Sequence, residues 1–406
     1  RNWEDKKAIE ELLEKQQNVE QQVEEIKEKY NKHLTDQNDF KEVSERIMEK
    51  QETLQEMFDE LLSDEMKELF EKLEEMLEEL GKQESMEELE EMEMSDQQLE
   101  EELDRMLELF KQLEFQQKME ETIDKLEQLA EEQKELAEET AEEKDSQENL
   151  QENQEQINEE FEKIKEDMAD LEKMNEEMEN KQDMDLNKEQ QEEISEELEQ
   201  SSEQLKQEKN KKASESQKNA GQKMEEMAEQ MQGMMDQMMQ QQMQEDMQAL
   251  RQLLENLITL SFDQEDVMHE IKATNVNNPR YKELVQEQHK IQEDAEMVKD
   301  SLIALSKRVF ELSTFITREI ADINKNMGKG LSKLEERQVN PAGVHQQFVM
   351  TGFNNLALML DEVMQQMQQQ MSGMMGGAQM CEKPGGSKSQ KQGLGNLQEQ
   401  LNKQLQ

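Results

Sequence analysis

An all-α fold, an elongated helical bundle with long coiled-coil-like helices and no sheet, is predicted by three observations. Glu, Gln, Lys, Met and Leu dominate the chain, and each loses little rotamer freedom in a helix. Three prolines and 3% aromatic residues leave little material for strands or aromatic cores. The apolar residues recur every three or four positions, the spacing of one helix face. An apolar share of only 33% fits long helices with a narrow buried stripe better than compact domains of ordinary composition.

Charge divides the chain. Residues 1–212 carry a net charge of −46 and residues 213–406 a net charge of −8. The first half is repelled by nucleic acid and by anionic lipid surfaces, and nucleic acid is not expected as a partner. Four segments follow: acidic N-terminal helices over 1–95, an acidic helix and extended coiled-coil arm over 96–216, a Met-rich antiparallel helical bundle over 217–375, and a flexible Gly/Ser/Lys/Gln tail over 376–406.

The elements are punctuated by cap signals. Helices are expected near 2–34 and 41–80, the second ending at Gly81, where a left-handed C-terminal cap belongs. Ser95 with Gln98 has capping-box spacing and starts a helix over 96–144, with Leu103, Met106, Phe110, Leu113, Ile123, Leu126 and Leu129 on its apolar face. That face makes it the acidic-half helix best suited to join the Met-rich bundle. A helix over 147–181 and one over 188–216, opened by Asn187 with Gln190, carry sparse apolar residues and read as a solvated two-helix arm. The polar run Lys206–Lys218 reads as a hinge. A helix over 222–260 follows, with its seam at Met224, Met227, Met231, Met234 and Met238.

Asn278-Pro279 and Asn340-Pro341 each place an N-cap before a first-turn proline, opening helices over 279–327 and 341–375. The first carries the strongest seam, Leu302, Leu305, Val309, Leu312, Ile316, Ile320, Ile323 and Met327, whose one 4-4 step departs from the heptad. Gly328 and Gly330 read as its end. No apolar run approaches the length of a membrane span. The chain starts at Arg1 with neither initiator Met nor signal peptide, and reads as a fragment of a longer protein.

No catalytic chemistry is legible. His269-Glu270 begins a zinc-protease pattern, but Ala273 stands where the second histidine belongs. Asp266 and His269 have the spacing of a di-iron bundle, which needs a second pair; Gln286 precedes His289 and Ala342 precedes His345 at that spacing. GKGLSK at 328–333 lacks the phosphate-loop spacing. The expectation is a non-enzyme with no metal and no cofactor.

What remains is methionine. Two tracts concentrate it, and core filling, a soft docking groove and cuprous-ion binding through thioethers are the uses weighed. Core filling accounts best for the seam residues. The candidate partner-binding residues are Met231, Met234, Met235, Met238, Met239, Met364, Met367, Met371, Met374 and Met375.

Four stretches, ELDRMLELFKQLEFQQKMEETIDKLEQLAEEQKELAEET at 102–140, ENLITLSFDQEDVM at 255–268, NPRYKELVQEQHKIQEDAEMVKDSLIALSKRV at 278–309 and FNNLALMLDEVMQQMQQQM at 353–371, together resemble a large uncharacterised family of membrane-anchored helical proteins from Gram-negative bacteria. The resemblance implies an N-terminal anchor upstream of this fragment and a place in the cell envelope, on the periplasmic side of the inner membrane. It implies no activity, catalytic residue or cofactor. The expected function is a structural scaffold working through helix–helix docking, with protein partners, itself among them. The alternative is a chaperone-like or adaptor module holding apolar segments in a Met-rich groove.

Overall fold

The computed structural model describes Leu54 and residues 85–312 and 315–377. Helices expected over 2–34 and 41–80, the Gly81 cap and nearly all of the tail lie outside these residues. The described residues form seven α-helices with no strand: α1 Ser85–Glu142, α2 Gln147–Glu177, α3 Lys188–Lys206, α4 Asn210–Ala273, α5 Pro279–Ser306, α6 Phe315–Glu335 and α7 Val339–Gly377. Residues 366–406 form a separate compact unit, of which the last turns of α7 are described.

Two caps form as their residues dictate. The Asn187 side chain accepts from Gln190 N at 3.2 Å, and Asn187 itself adopts φ 42, a left-handed conformation asparagine tolerates. Asn278 Oδ1 accepts from Arg280 N at 3.0 Å ahead of the first-turn Pro279.

Other boundaries differ from expectation. Ser95 is interior to α1, and Asn340 follows the start of α7. The expected hinge over 206–218 shrinks to the turn Gln207–Lys209, and α4 then runs unbroken for 64 residues, about 95 Å. Its polar first turns are helical because small residues let α1 come close: Ala213, Ser214 and Ser216 are buried, and Ser214 Oγ donates to Ala137 O at 2.7 Å. Past the expected stop at 260, α4 continues to Ala273.

The expected helix over 279–327 is two helices. Its whole seam is buried, but the chain turns after Ser306 and α6 returns along α5. A seam read as one stripe is therefore two stripes facing each other. Gly328 and Gly330 lie within α6. A Cβ on Gly330 would stand 3.3 Å from His345 Cβ, so this glycine allows α7 to approach rather than ending a helix.

The expected solvated arm is a core. Leu150, Ile157, Phe161, Ile164, Met168 and Leu171 of α2 join Ile194, Leu198 and Leu205 of α3 in one buried cluster with α1 and the first half of α4. Sparse apolar residues suffice because each helix needs only one per turn to face three neighbours.

The architecture repeats. The end of α1, then α2, α3 and the start of α4 form a first module; the end of α4, then α5, α6 and the start of α7 form a second. The core residues recur in register. Leu150, Gln154, Ile157 and Leu171 correspond to Leu284, Gln288, Ile291 and Leu305. Ile194, Leu198 and Leu205 correspond to Ile323, Met327 and Leu334, and Ala213, Gln217 and Met224 to Ala342, Gln346 and Phe353; all are buried.

The backbone repeats too. Glu208 has φ 57 and Arg337 φ 62. Lys209 N donates to Gln204 O at 2.9 Å, as Gln338 N does to Lys333 O at 2.8 Å. Gln147 Nε2 donates to Leu205 O at 2.6 Å, and Tyr281 Oη to Leu334 O at 2.8 Å. The long helix α4 is thus the last helix of one module and the first of the next.

Each module carries one buried polar layer. Gln133 and Gln154 exchange reciprocal bonds of 3.2 and 3.0 Å, and Gln217 Nε2 donates to Gln154 Oε1 at 2.9 Å. Gln264 and Gln288 do the same at 2.9 and 2.7 Å, and Gln346 Nε2 donates to Gln288 Oε1 at 2.6 Å. Inside an apolar core these bonds form only when the three helices align, so the layer fixes register, although Gln217 Oε1 is left without a partner.

Candidate functional site

The two modules meet around the middle of α4, where the chain concentrates its buried charge. Arg105 of α1 is 2% exposed. Its Nε donates to Ser306 O at 3.0 Å and its Nη2 to Leu312 O. A cation thereby takes carbonyls at the C-terminal end of α5 and in the connection beyond it, where the helix dipole places negative potential.

Asp246 of α4 is also buried, with Oδ1 2.6 Å from Arg308 Nε in a close ion contact. Burial pushes the Asp246 carboxyl up to about 6, against the pull of Arg308, with Glu245 and Glu311 adding to the rise. Lys307 pairs with Asp104 at 2.6 Å and with Glu179 at 3.1 Å. Glu108 accepts from Glu179 N at 3.1 Å and from Lys111 at 2.6 Å, and Lys111 also donates to Glu177 O at 3.2 Å. These contacts tie the α2–α3 and α5–α6 connections to α1 and α4, and so tie one module to the other.

A cleft of about 560 Å³ opens beside this cluster. One wall is the α2–α3 connection, with Glu179, Asp183 and Asp185; the other is α4, with Met234, Gln237, Met238 and Gln241; Asp246 and Arg308 close it. Its carboxylates outnumber its cations, and its lining is polar rather than apolar.

The methionines are placed as follows. Met231 and Met235 are buried in the first module's core. Met234, Met238 and Met239 are half-buried, Met234 and Met238 on the cleft wall. Beneath Met235, Met238 and Met239 the free space is about 20 Å³, room for one water and no side chain. Met364 and Met371 are half-buried and Met367 is buried; Met374 and Met375 lie on α7 beyond the described side chains. Met224, Met227 and Met231 occupy the positions that Phe353, Leu356 and Leu360 fill in the second module. Met224, Met227, Met231 and Met235 of the first tract are therefore core, while Met234, Met238 and Met239 stay part-exposed beside it.

Among the described residues no three His, Cys, Asp or Glu side chains converge as metal ligands. Asp266 and His269 are exposed on α4. His289 lies 3.5 Å from Glu335. His345 Nδ1 meets Asn326 Oδ1 at 2.9 Å, and burial, with Lys329 and Lys333 nearby, lowers its pKa. No helix among the described residues is long and apolar enough to cross a membrane.

Sequence reading missed Arg105, Asp246, Arg308 and the glutamine layers. A signal existed: Arg105 is one of three arginines in the first 212 residues, and it directly precedes Met106, Leu107, Leu109 and Phe110. Comparison with protein-family models, with curated proteins and with solved structures finds no match for this chain.

Proposed function

We propose that this chain is a non-enzymatic scaffold of the cell envelope, which sets a fixed spacing between its docking partners. One observation carries the reading: two successive four-helix modules share the single 64-residue helix α4. Sharing a helix makes the spacing of the modules a property of backbone hydrogen bonds rather than of a linker. The charged junction opposes bending at the point where they meet. The envelope location follows from the resemblance of residues 102–140, 255–268, 278–309 and 353–371 to membrane-anchored envelope proteins. The adaptor alternative would rest on the part-exposed Met234, Met238, Met239, Met364 and Met371, since Met231, Met235 and Met367 are buried.

The test is rigidity across the junction. Spin labels at Glu226→Cys and Asp266→Cys, in a Cys381→Ser background and diluted with unlabelled chain so that only distances within one chain are read, should report a single narrow distance of about 60 Å. A broad or clearly shorter distribution would defeat the rigid-spacer reading.

A further inference from the structure

The first module serves as an internal control for the surface of the second. Six large apolar side chains are exposed among the described residues, and all six belong to the second module: Ile258, Phe262, Met297, Val344, Phe348 and Leu358. The equivalent first-module positions hold Glu127, Glu131, Lys163, Glu215, Asn219 and Glu229, all exposed. The same backbone surface is thus solvated in one copy and apolar in the other.

Five of the six gather on one face. On α7, Val344, Phe348 and Leu358 share a side with Thr351 and Asn354, by their helical spacing. On the antiparallel α4, Ile258 and Phe262 flank Ser261, whose hydroxyl donates to Asn354 Oδ1 at 2.9 Å. Leu358 is 71% and Phe262 63% exposed, well beyond scattered surface residues. The seam beneath has also lost its ion pair. In the first module Lys134 bridges to Glu225 at 2.7 Å; Glu265 stands where Lys134 stands, and Asn354 where Glu225 stands.

Charge identifies the occupant. From Val339 to Leu360, α7 contains no Asp, Glu, Lys or Arg, in a chain that is 36% charged with a net charge of −54. A lipid surface would call for flanking cations, and a charged partner helix for opposite charge. Two copies of so acidic a chain repel least where α7 meets α7, since that stretch presents no charge while α4 beside it keeps Glu255 and Glu265. We propose that the α4–α7 face is an isologous interface with a second copy of this chain, its α7 helices antiparallel about an axis near Thr351. That direction sets Val344 against the second copy's Leu358. It also sets the acidic end, Asp361 and Glu362, against uncharged Asn340, whereas a parallel pair would stack carboxylates. The proposal rests on the scaffold reading and supplies its docking partner.

Sedimentation equilibrium on the full chain tests it. The chain should be a dimer that dissociates on dilution. Giving the second module the first module's residues (Ile258→Glu, Phe262→Glu, Phe348→Asn, Leu358→Glu) should leave only monomer, with far-UV circular dichroism unchanged. In a Cys381→Ser background, Thr351→Cys should oxidise to a disulfide-linked dimer, while the equivalent first-module change Gln222→Cys should not. A wild-type chain that stays monomeric, or a dimer that survives the four substitutions, overturns the proposal. So does a monomer whose face instead captures an added amphipathic peptide. None of these outcomes alters the spin-label distance along α4, so a failed interface is separable from a failed spacer.

Discussion

At the residue scale the two informative carboxylates have opposite shifts. Burial raises Asp167 as well, but hydrogen bonds and charge from Lys118 and Lys125, the latter at 2.8 Å, outweigh it and hold the group below its usual value. Asp246 has one cation and deeper burial, and is raised to about 6. Its folded state therefore binds a proton more readily than its unfolded state, so its contribution to stability grows as pH falls through 6. Asp167 contributes stability above its unfolded pKa and loses it as pH falls through its folded one. Asp246→Asn removes the first dependence alone. From pH 7 to pH 5, wild type should gain about 1 kcal/mol relative to the variant, read from urea midpoints at each pH. A constant difference would mean that Asp246 does not titrate in this window.

At the element scale, the helical class and most helix starts were legible because cap chemistry and apolar spacing are local. The errors share one cause: partner proximity is not written in polarity. Ser214 and Gln217 look like linker residues but are buried beside α1, and Val309 and Leu312 look like helix but are held in a turn by Arg105. The candidate site was less legible still. Methionine frequency pointed to α4, whereas the buried charge depends on Arg105, Asp246 and Arg308 meeting from three separate elements. Two glycines of α4 separate local from tertiary effects. A Cβ on Gly221 would lie 2.9 Å from Lys134 Cγ and 3.1 Å from Ala130 O, while one on Gly233 meets nothing within 4 Å. Gly233→Ala should stabilise by about 0.5–1 kcal/mol through helix propensity. Gly221→Ala should destabilise despite the same propensity, because α1 must shift away. Thermal midpoints moving in opposite directions would establish the difference; a gain in both would show that the α1–α4 approach is loose.

At the scale of the whole molecule, the repeat raises the question of whether the modules unfold separately. In tandem-repeat proteins stability is the sum of module terms and interface terms. Here the interface is unusually specific: Arg105 holds Ser306 and Leu312, and Lys307 reaches Asp104 and Glu179. Glu108 receives Glu179 N. The shared helix alone does not enforce cooperativity, since one half of a long helix can fray while the other stays packed. Arg105→Met keeps apolar volume but leaves buried carbonyls unpaired, a loss of about 3 kcal/mol at two charge-assisted bonds. In the wild type, native-state hydrogen exchange should show Leu150–Leu205 and Leu284–Leu334 opening with the same free energy. In Arg105→Met the second module should open first, because its α5–α6 turn is what the arginine holds, while the first module keeps its own glutamine layer and its protection. Equal loss of protection in both modules would place the coupling in α4 itself rather than in the buried arginine.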